Sequence, residues 1–594
     1  MLGTGSGLKN IVRFTVQVLR GRWFMLFAAI LLMGSTGGIY IFGIYSKEIK
    51  KTMGYDQTTL NLLGFFKDLG SSIGIFSGLI AEVTPNWFVL LVGTSLNFVG
   101  YFMVWISISG HISKPNVWQM CLYICIGANS QNFTLTSVMV TSVKNFPENR
   151  GTLLGLLKGF TGLSGAVMMQ LYLAIYGNDS KSLILFIAWF PAVISLFFVY
   201  AIRLIEVVRQ SSVERTVIYK YLLISGVLAL FIMGITITQN QKNFSHAGYI
   251  VTSTVVCILL FIPLAISIKE ELVVWNTIKQ NVKPPKVITV ETPSLVDSIP
   301  LPLTTRQLGK EENQKPTVSC FSDVFNLPER GEDYTILQAI LSIDMLLLII
   351  VSFCGLGTSL TAIDNLGQIG ESLGYPTLTI RTFVSLISIW NYFGRVCVGF
   401  VSEILLTKWK FPRTLVMAII LLASCIGHIL IAFPLPGSIY CASIMIGFCY
   451  GAHITLIYTV ISELFGLKHY STLYNCGVLA MPLGSYVFNV RVAGFLYDRE
   501  ALKQLKVIGL GRDSVKELTC IGKHCYRLCF IILAGTTFIG ALSSFILFIR
   551  TKKFYQGDIY MKFRLEKTMA STEAENTEMV SPIASNTKCK VSNS

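Results

Sequence analysis

Apolar residues fill the chain in stretches of about 20, the length of helix that crosses a bilayer core, separated by short polar junctions. Fourteen such stretches can be marked. Six come first: Trp23–Tyr45, Leu60–Ala81, Phe88–Ile108, Trp118–Val140, Leu153–Leu173 and Leu183–Ile202. A pair follows, Tyr221–Ile237 and Ala247–Ile268. Residues 269–334 break the pattern. Pro284-Pro285 and the prolines at 293, 300 and 302 exclude a span, and this segment reads as a flexible loop. The last six are Ile336–Gly355, Thr379–Val401, Leu415–Phe433, Ile439–Ile461, Cys476–Leu496 and Leu528–Ile549. The pattern predicts an all-α integral membrane protein ordered six, two, loop, six. The alternative is twelve spans with the middle pair lying peripherally. The implied units are residues 1–22 (leading segment), 23–203 (first bundle), 204–268 (linker and middle pair), 269–334 (loop), 335–549 (second bundle) and 550–594 (tail).

Composition narrows this picture. Hydrophobic residues make up 53% of the chain and charged residues 13%, against about 25% charged in a soluble domain. A formal net charge of +16 would suggest nucleic acid in a soluble protein. Here its first cause is topological, because cytoplasmic junctions of membrane proteins collect Lys and Arg. No nucleic-acid partner is expected. Most of the 14 cysteines, such as Cys121, Cys125, Cys257 and Cys441, lie inside apolar stretches and read as small core residues. The basic start (Lys9, Arg13, Arg20, Arg22) runs directly into an apolar stretch too long for a signal-peptide core, so a retained first span is expected.

With the N-terminus in the cytoplasm, the alternate junctions hold about 30 Lys plus Arg on the cytoplasmic side and about 12 on the other. Both termini are therefore expected inside. Two glycosylation sequons, at Asn178 and Asn243, then fall on the non-cytoplasmic side. So do Cys520 and Cys525, in the longest junction there, where a disulfide is permitted. Delivery through the secretory pathway follows, to the plasma or vacuolar membrane rather than mitochondria. The basic residues Arg550, Lys552, Lys553, Lys562, Arg564 and Lys567 read as the cytoplasmic flank of the last span.

Internal duplication is a signature of secondary transporters, and the two six-span blocks share landmarks. Gly54-Tyr55 precedes the second span of the first block, which ends Gly78-Leu79-Ile80-Ala81-Glu82; Gly374-Tyr375 and Gly399-Phe400-Val401-Ser402-Glu403 repeat this in the second. Tyr to Glu is 27 residues in one copy and 28 in the other. Each fourth span carries polar groups at mid-depth. Three further runs in the first block, Gly37-Gly38-Ile39-Tyr40-Ile41-Phe42-Gly43, Lys67-Asp68-Leu69-Gly70 and Asn145-Phe146-Pro147-Glu148-Asn149-Arg150-Gly151, are joined in the second by Asp364-Asn365-Leu366-Gly367-Gln368-Ile369-Gly370, Ser388-Ile389-Trp390-Asn391 and Glu463-Leu464-Phe465-Gly466-Leu467-Lys468-His469-Tyr470. In these motifs the chain resembles the nodulin-like, nuclear-fusion-defective-like group of plant major facilitator proteins. The resemblance implies two six-helix bundles around a central cavity that opens alternately to either side. The family's general gating loop, Gly-x-x-x-Asp-Arg followed by basic residues, is altered here. Glu82 stands for Asp and Thr84-Pro85-Asn86 replaces the basic part, whereas the second copy keeps Glu403, Lys408, Lys410 and Arg413.

A charge at bilayer mid-depth costs on the order of 3 kcal/mol, so such residues face cavities or pair. In the implied fold the cavity is lined by helices one, two, four and five of each block. That selects Lys67, Asp68, Asn129, Gln131, Asn132 and Lys158 in the first block, and Arg381, His453, Asn489 and Arg491 in the second. Helix–helix hydrogen bonding competes for the amides and snorkelling for Lys158, Arg381 and Arg491. His453 is the candidate proton carrier, unless it is a core histidine. Arg381 and Arg491 lie in the helices where the related oxalate/formate branch holds cations, a correspondence by helix alone. Cations outnumber the acid Asp68, which favours an anionic solute.

No other chemistry competes. Gly3-Thr4-Gly5-Ser6-Gly7 and Gly509-Leu510-Gly511 lack the Gly-Lys-Ser/Thr ending of a phosphate-binding loop. No metal-ligand spacing, cofactor motif or catalytic triad stands out. The sequence thus predicts a secondary transporter, not an enzyme, that takes a small solute or ion, with proton coupling as an option. The competing reading is a transport-inactive sensor or membrane organiser on the same fold.

Overall fold

In the computed structural model, residues 4–55, 57–177, 179–205, 211–241, 244–281, 327–507, 509, 520–559 and 561 are described; Asn178, Asn243, Lys562, Arg564 and Lys567 lie outside them. Among the described residues all regular structure is helical. The first block comprises α1 (Thr4–Arg20), α2 (Arg22–Ser35), α3 (Phe42–Met53), α4 (Gln57–Ser72), α5 (Ile75–Val83), α6 (Asn86–Ser109), α7 (Val117–Asn145), α8 (Arg150–Tyr176) and α9 (Ser180–Phe198). The middle pair is α10 (Ser211–Gln241) and α11 (His246–Asn281). The second block comprises α12 (Ile336–Leu341), α13 (Ile343–Ser372), α14 (Thr377–Trp409), α15 (Arg413–Ala432), α16 (Ser438–Leu464), α17 (Tyr470–Ser485), α18 (Phe495–Val507) and α19 (His524–Gln556).

Among the described residues, thirteen helical stretches are long and apolar enough to cross a membrane, the middle pair among them. The fourteenth predicted span is α7. Its 29 residues reach about 43 Å, but Asn129, Ser130, Gln131 and Asn132 dilute its apolar character.

Several predicted spans are not single helices. The first breaks after α2 into a short 3-10 turn, Gly37–Ile39, before α3. A side chain at Gly37 would lie 2.5 Å from the backbone of Ser164 on α8, so only glycine permits this approach. The second breaks between α4 and α5 at Ile73 and Gly74, which frees backbone carbonyls in a setting with no water to satisfy them. Asn129 supplies the missing donors, 2.8 Å from the carbonyls of both Gly70 and Ile73, and Asn132 donates to Gly70 at 3.2 Å.

Two boundaries are corrected. The ninth span is not Ile336–Gly355. Thr335 caps the short α12, Ser342 then caps a new helix through the Met345 N–H, and α13 runs on to Ser372. The apolar run was the guide to position, but the helix continues through the polar turn Thr358–Asn365. Nor does the loop begin at residue 269, since α11 stays helical to Asn281. Its buried Glu270 pairs with Lys220 of α10 at 3.5 Å.

The two blocks pack chiefly through α8 against α14 and α5 against α17. Small residues allow it. Gly155 faces the backbones of Arg395 and Gly399, and Gly78 faces those of Ser471 and Thr472. The middle pair lies along α2 and α8 and touches α14. It is docked by the buried pair Arg22–Glu214 at 2.8 Å, by paired amides of Gln170 and Gln239 at 2.9 and 3.0 Å, and by Tyr392 donating to Ser225 at 2.8 Å.

Candidate functional site

Two layers of polar groups join the blocks. The first lies at the face that carries Arg22, Glu82 and the start of α8, called here the basic face. Glu82, at the end of α5, reaches the start of α17 in the other block. Its carboxylate accepts from Ser471 at 2.6 Å and Thr472 at 3.1 Å and lies 2.7 Å from Nδ1 of His469. The repeated residue Glu403, near the end of α14, accepts from the Gly151 N–H at the start of α8 at 3.1 Å. Each glutamate therefore places negative charge where the other block starts a helix and exposes unpaired N–H groups. The altered loop around Glu82 has not cost it this contact.

Arg413 organises the second copy. Fully buried, it bonds Glu403 at 2.7 Å, Glu463 at 2.9 Å and the Ser402 hydroxyl at 2.5 Å. Tyr555 donates to the other oxygen of Glu463 at 2.9 Å, and Arg150 of the first block donates to the Ser462 carbonyl at 2.8 Å. Deeper on the other side of the seam, Tyr474 donates to Thr136 at 2.6 Å. Such charges are tolerable in a buried setting because each is paired and hydrogen-bonded.

The second layer lies further from the basic face. Lys158, on α8, is 3% exposed, and its ammonium sits 3.9 Å from the ring centre of Tyr458. Arg395, on α14, is equally buried and donates to the Lys158 carbonyl at 2.8 Å and to Asn391 at 2.9 Å. Among the described residues neither cation has a carboxylate within ion-pair distance. Beyond them Asn489 donates to Asp364 at 3.2 Å and accepts from Asn365 at 2.7 Å. Lys67 and Asp68 of the first block lie on α4, and the Asp68 side chain is exposed. These two pair with each other at 2.8 Å, with Lys67 also over the Phe42 ring at 5.2 Å.

The sequence-selected residues therefore separate. Lys158 meets Tyr458 and Arg395 of the other block, Lys67 and Asp68 pair with each other, and Asn489 bonds Asp364 and Asn365 of its own block. Asn129 and Asn132 serve the α4–α5 break. Gln131 lines a crevice inside the first block with Thr36, Asn97, Tyr101 and Ser195. His453 points away from the seam, against Gly355 of its own block, and its Nε2 has no hydrogen-bond partner among the described residues. Arg491 is exposed over the Tyr486 ring at 5.6 Å, on the π-helical turn Tyr486–Gly494. Arg381 lies in α14, its side chain outside the described set. Cys520 and Cys525 are joined, with Cα atoms 5.9 Å apart.

Arg395, Tyr458 and Asp364 join the site without having been singled out by the span pattern. The buried-charge rule that picks out Lys158 applies equally to Arg395, deep in its span. Asp364 escaped because the ninth span was drawn to stop at Gly355. Tyr458 carries no such signal, since an aromatic in an apolar span reads as core.

Residues 22–268 match the Nodulin-like family model, and residues 332–557 match that of the NFD4 C-terminal domain. The chain is 25% identical over 553 residues to Protein NUCLEAR FUSION DEFECTIVE 4 of Arabidopsis thaliana, covering 90% of this chain and 89% of that one. It is 30% identical over 204 residues to the Probable transporter MCH1 of Yarrowia lipolytica, covering 32% of this chain and 39% of that one. A double Trp mutant of XylE superposes with a TM-score of 0.50 at 12% identity, over 89% of this chain and 95% of that one. XylE is described as a proton:xylose symporter of the major facilitator superfamily. This likeness establishes the fold alone.

Proposed function

The chain belongs to the nodulin-like group with an NFD4-type C-terminal domain, built on the major facilitator fold, and on that premise we propose that it carries a small anionic solute across a membrane by alternating access. The observation that carries the reading is the meeting of Lys158 from one block with Arg395 from the other. Both are buried, and each lacks a carboxylate among the described residues. Two such cations in a low-dielectric site hold an anion far better than exposed ones would. Because they come from different blocks, an anion between them favours the arrangement in which α8 and α14 are close. That is the differential affinity an alternating carrier requires.

The contacts of Glu82, Glu403, Arg413 and Tyr474 then act as the seal on the basic face, and the described arrangement is the one closed there. The excess of Lys and Arg supports a cytoplasmic position for that face. The disulfide Cys520–Cys525 belongs on the other side, as secretory delivery to the plasma or vacuolar membrane implies. Asp364, exposed on α13 and hydrogen-bonded by Asn489, is the proposed proton carrier.

Purified protein in liposomes, with labelled candidate carboxylates added outside, tests the reading. Uptake driven by substrate gradient, lost in Lys158→Ala and Arg395→Ala, is the expected result. Uptake indifferent to an imposed pH gradient would remove the proton arm. Absence of uptake and of any ligand-induced thermal stabilisation over a broad metabolite set would favour a transport-inactive sensor instead.

A further inference from the structure

Ahead of the first span, α1 forms an amphipathic helix of 17 residues, about 25 Å long. It is separated from α2 by the extended residue Gly21, whose missing side chain makes room for the Glu271 carboxylate. On the helix wheel Ile11, Thr15, Leu19, Val12 and Val16 fall within an arc of about 140°. Ile11, Val12, Val16 and Leu19 are 63%, 55%, 41% and 46% exposed. Arg13 and Arg20, both exposed, share the adjoining edge, and Asn10 and Gln17 lie beyond them. The remaining side touches the protein: Val18 is buried, and the Phe14 ring meets Trp275 of α11 at 5.8 Å.

Trp275 fixes the depth of this contact. It lies at the last turn of the apolar stretch His246–Asn276, where a span leaves the hydrocarbon and a tryptophan prefers to sit. The docking point of α1 is thus level with the headgroups. An apolar arc flanked by arginines, held at that level by a tether of one residue to a membrane span, fits one surface. We infer that α1 lies in the plane of the membrane, with Ile11, Val12, Val16 and Leu19 in the acyl boundary and Arg13 and Arg20 against anionic headgroups. If the basic face is cytoplasmic, as proposed above, this is the leaflet that carries such lipids.

The test uses the full-length chain with an environment-sensitive fluorescent amino acid at position 12 or at position 17. It is reconstituted in vesicles of phosphatidylcholine with or without phosphatidylserine, some carrying doxyl groups on the acyl chains. Both leaflets have one composition, so the result is independent of insertion direction and of any transport activity. The expected result is bluer emission at position 12 than at 17, quenched by doxyl lipid, and stronger with phosphatidylserine. An Arg13→Gln plus Arg20→Gln chain is expected to lose roughly half of that quenching and most of its response to phosphatidylserine. Water-like emission at both positions would overturn the inference. So would blue emission at position 12 that doxyl lipid leaves unchanged, since that would mean a protein partner or a second copy. An unaltered response to phosphatidylserine in the double variant would overturn the headgroup contact.

Discussion

Glu82 and His469 lie 2.7 Å apart although 387 positions separate them in the chain. One ends a helix of the first block and the other sits just before a helix of the second, so their meeting is possible only with the basic face closed. Glu82→Gln keeps the shape but removes the charge shared among His469, Ser471 and Thr472. The pair is partly exposed, so the loss is expected near the lower end for charged hydrogen bonds, about 1–2 kcal/mol. That shifts the balance between closed and open states roughly 5–30-fold. Hydrogen exchange of the amides at residues 470–475 should rise accordingly; unchanged protection would show that Glu82 does not hold the seal.

Arg413 should matter to stability more than to the seal alone. Its replacement by Ala leaves Glu403 and Glu463 buried with reduced compensation, a defect worth about 3–5 kcal/mol. A clear fall in the thermal midpoint of the detergent-solubilised protein is expected. Partial recovery should follow when both glutamates are also changed to Gln. If the triple variant is no better than Arg413→Ala, lost packing rather than unpaired charge is the cause.

Most of the architecture was legible in the chain because lipid imposes a single requirement, an apolar run of sufficient length, on every span. What escaped was whatever depends on partners distant in sequence. Nothing local announces that the carbonyls of Gly70 and Ile73 will be served by Asn129, so that residue resembled a cavity group. Lys67 and Asp68 are adjacent and lie about 100° apart on a helix, yet their flexible ends meet at 2.8 Å. The boundary of α13 was misplaced because the apolar Ile336–Leu341 run is cut off by the cap at Ser342. Asp364 therefore lies in α13 beyond the apolar run that marks the span. The repeated glutamates, by contrast, were visible as a matched spacing, and the structure brings each to the opposite block.

The glycine pair at the α8–α14 seam makes a mechanical prediction. A Cβ on Gly155 would lie 2.7 Å from the Arg395 carbonyl and 3.0 Å from Cα of Gly399. Both are backbone atoms, so a rotamer change cannot relieve the clash. Gly155→Ala is expected to hold the blocks apart at the basic face while each block stays folded. Exchange should increase at the first turn of α8 and near Glu403, with little change in the interior of α6 or α15. Uniform loss of protection would mean that the glycine serves folding of its block instead.

Lys158 and Arg395 are expected to act as a pair. In the empty protein they repel, moderated by the Tyr458 ring over the ammonium and by the donation of Arg395 to the Lys158 carbonyl. An anion removes that repulsion, so each cation is worth more with ligand than without. Lys158→Gln should weaken anion binding by about tenfold or more, as the loss of a charged hydrogen bond in a buried site implies. Arg395→Lys should weaken it too, because an ammonium cannot reproduce the fork that holds a planar carboxylate at two points. The unliganded variants, relieved of a like-charge contact, should be no less stable than the parent. Thermal shifts with and without a bound carboxylate separate the two effects. Destabilisation of the empty Lys158→Gln protein with unchanged ligand-induced stabilisation would mean that the lysine is a packing element, and the anion site would have to be sought elsewhere in the seam.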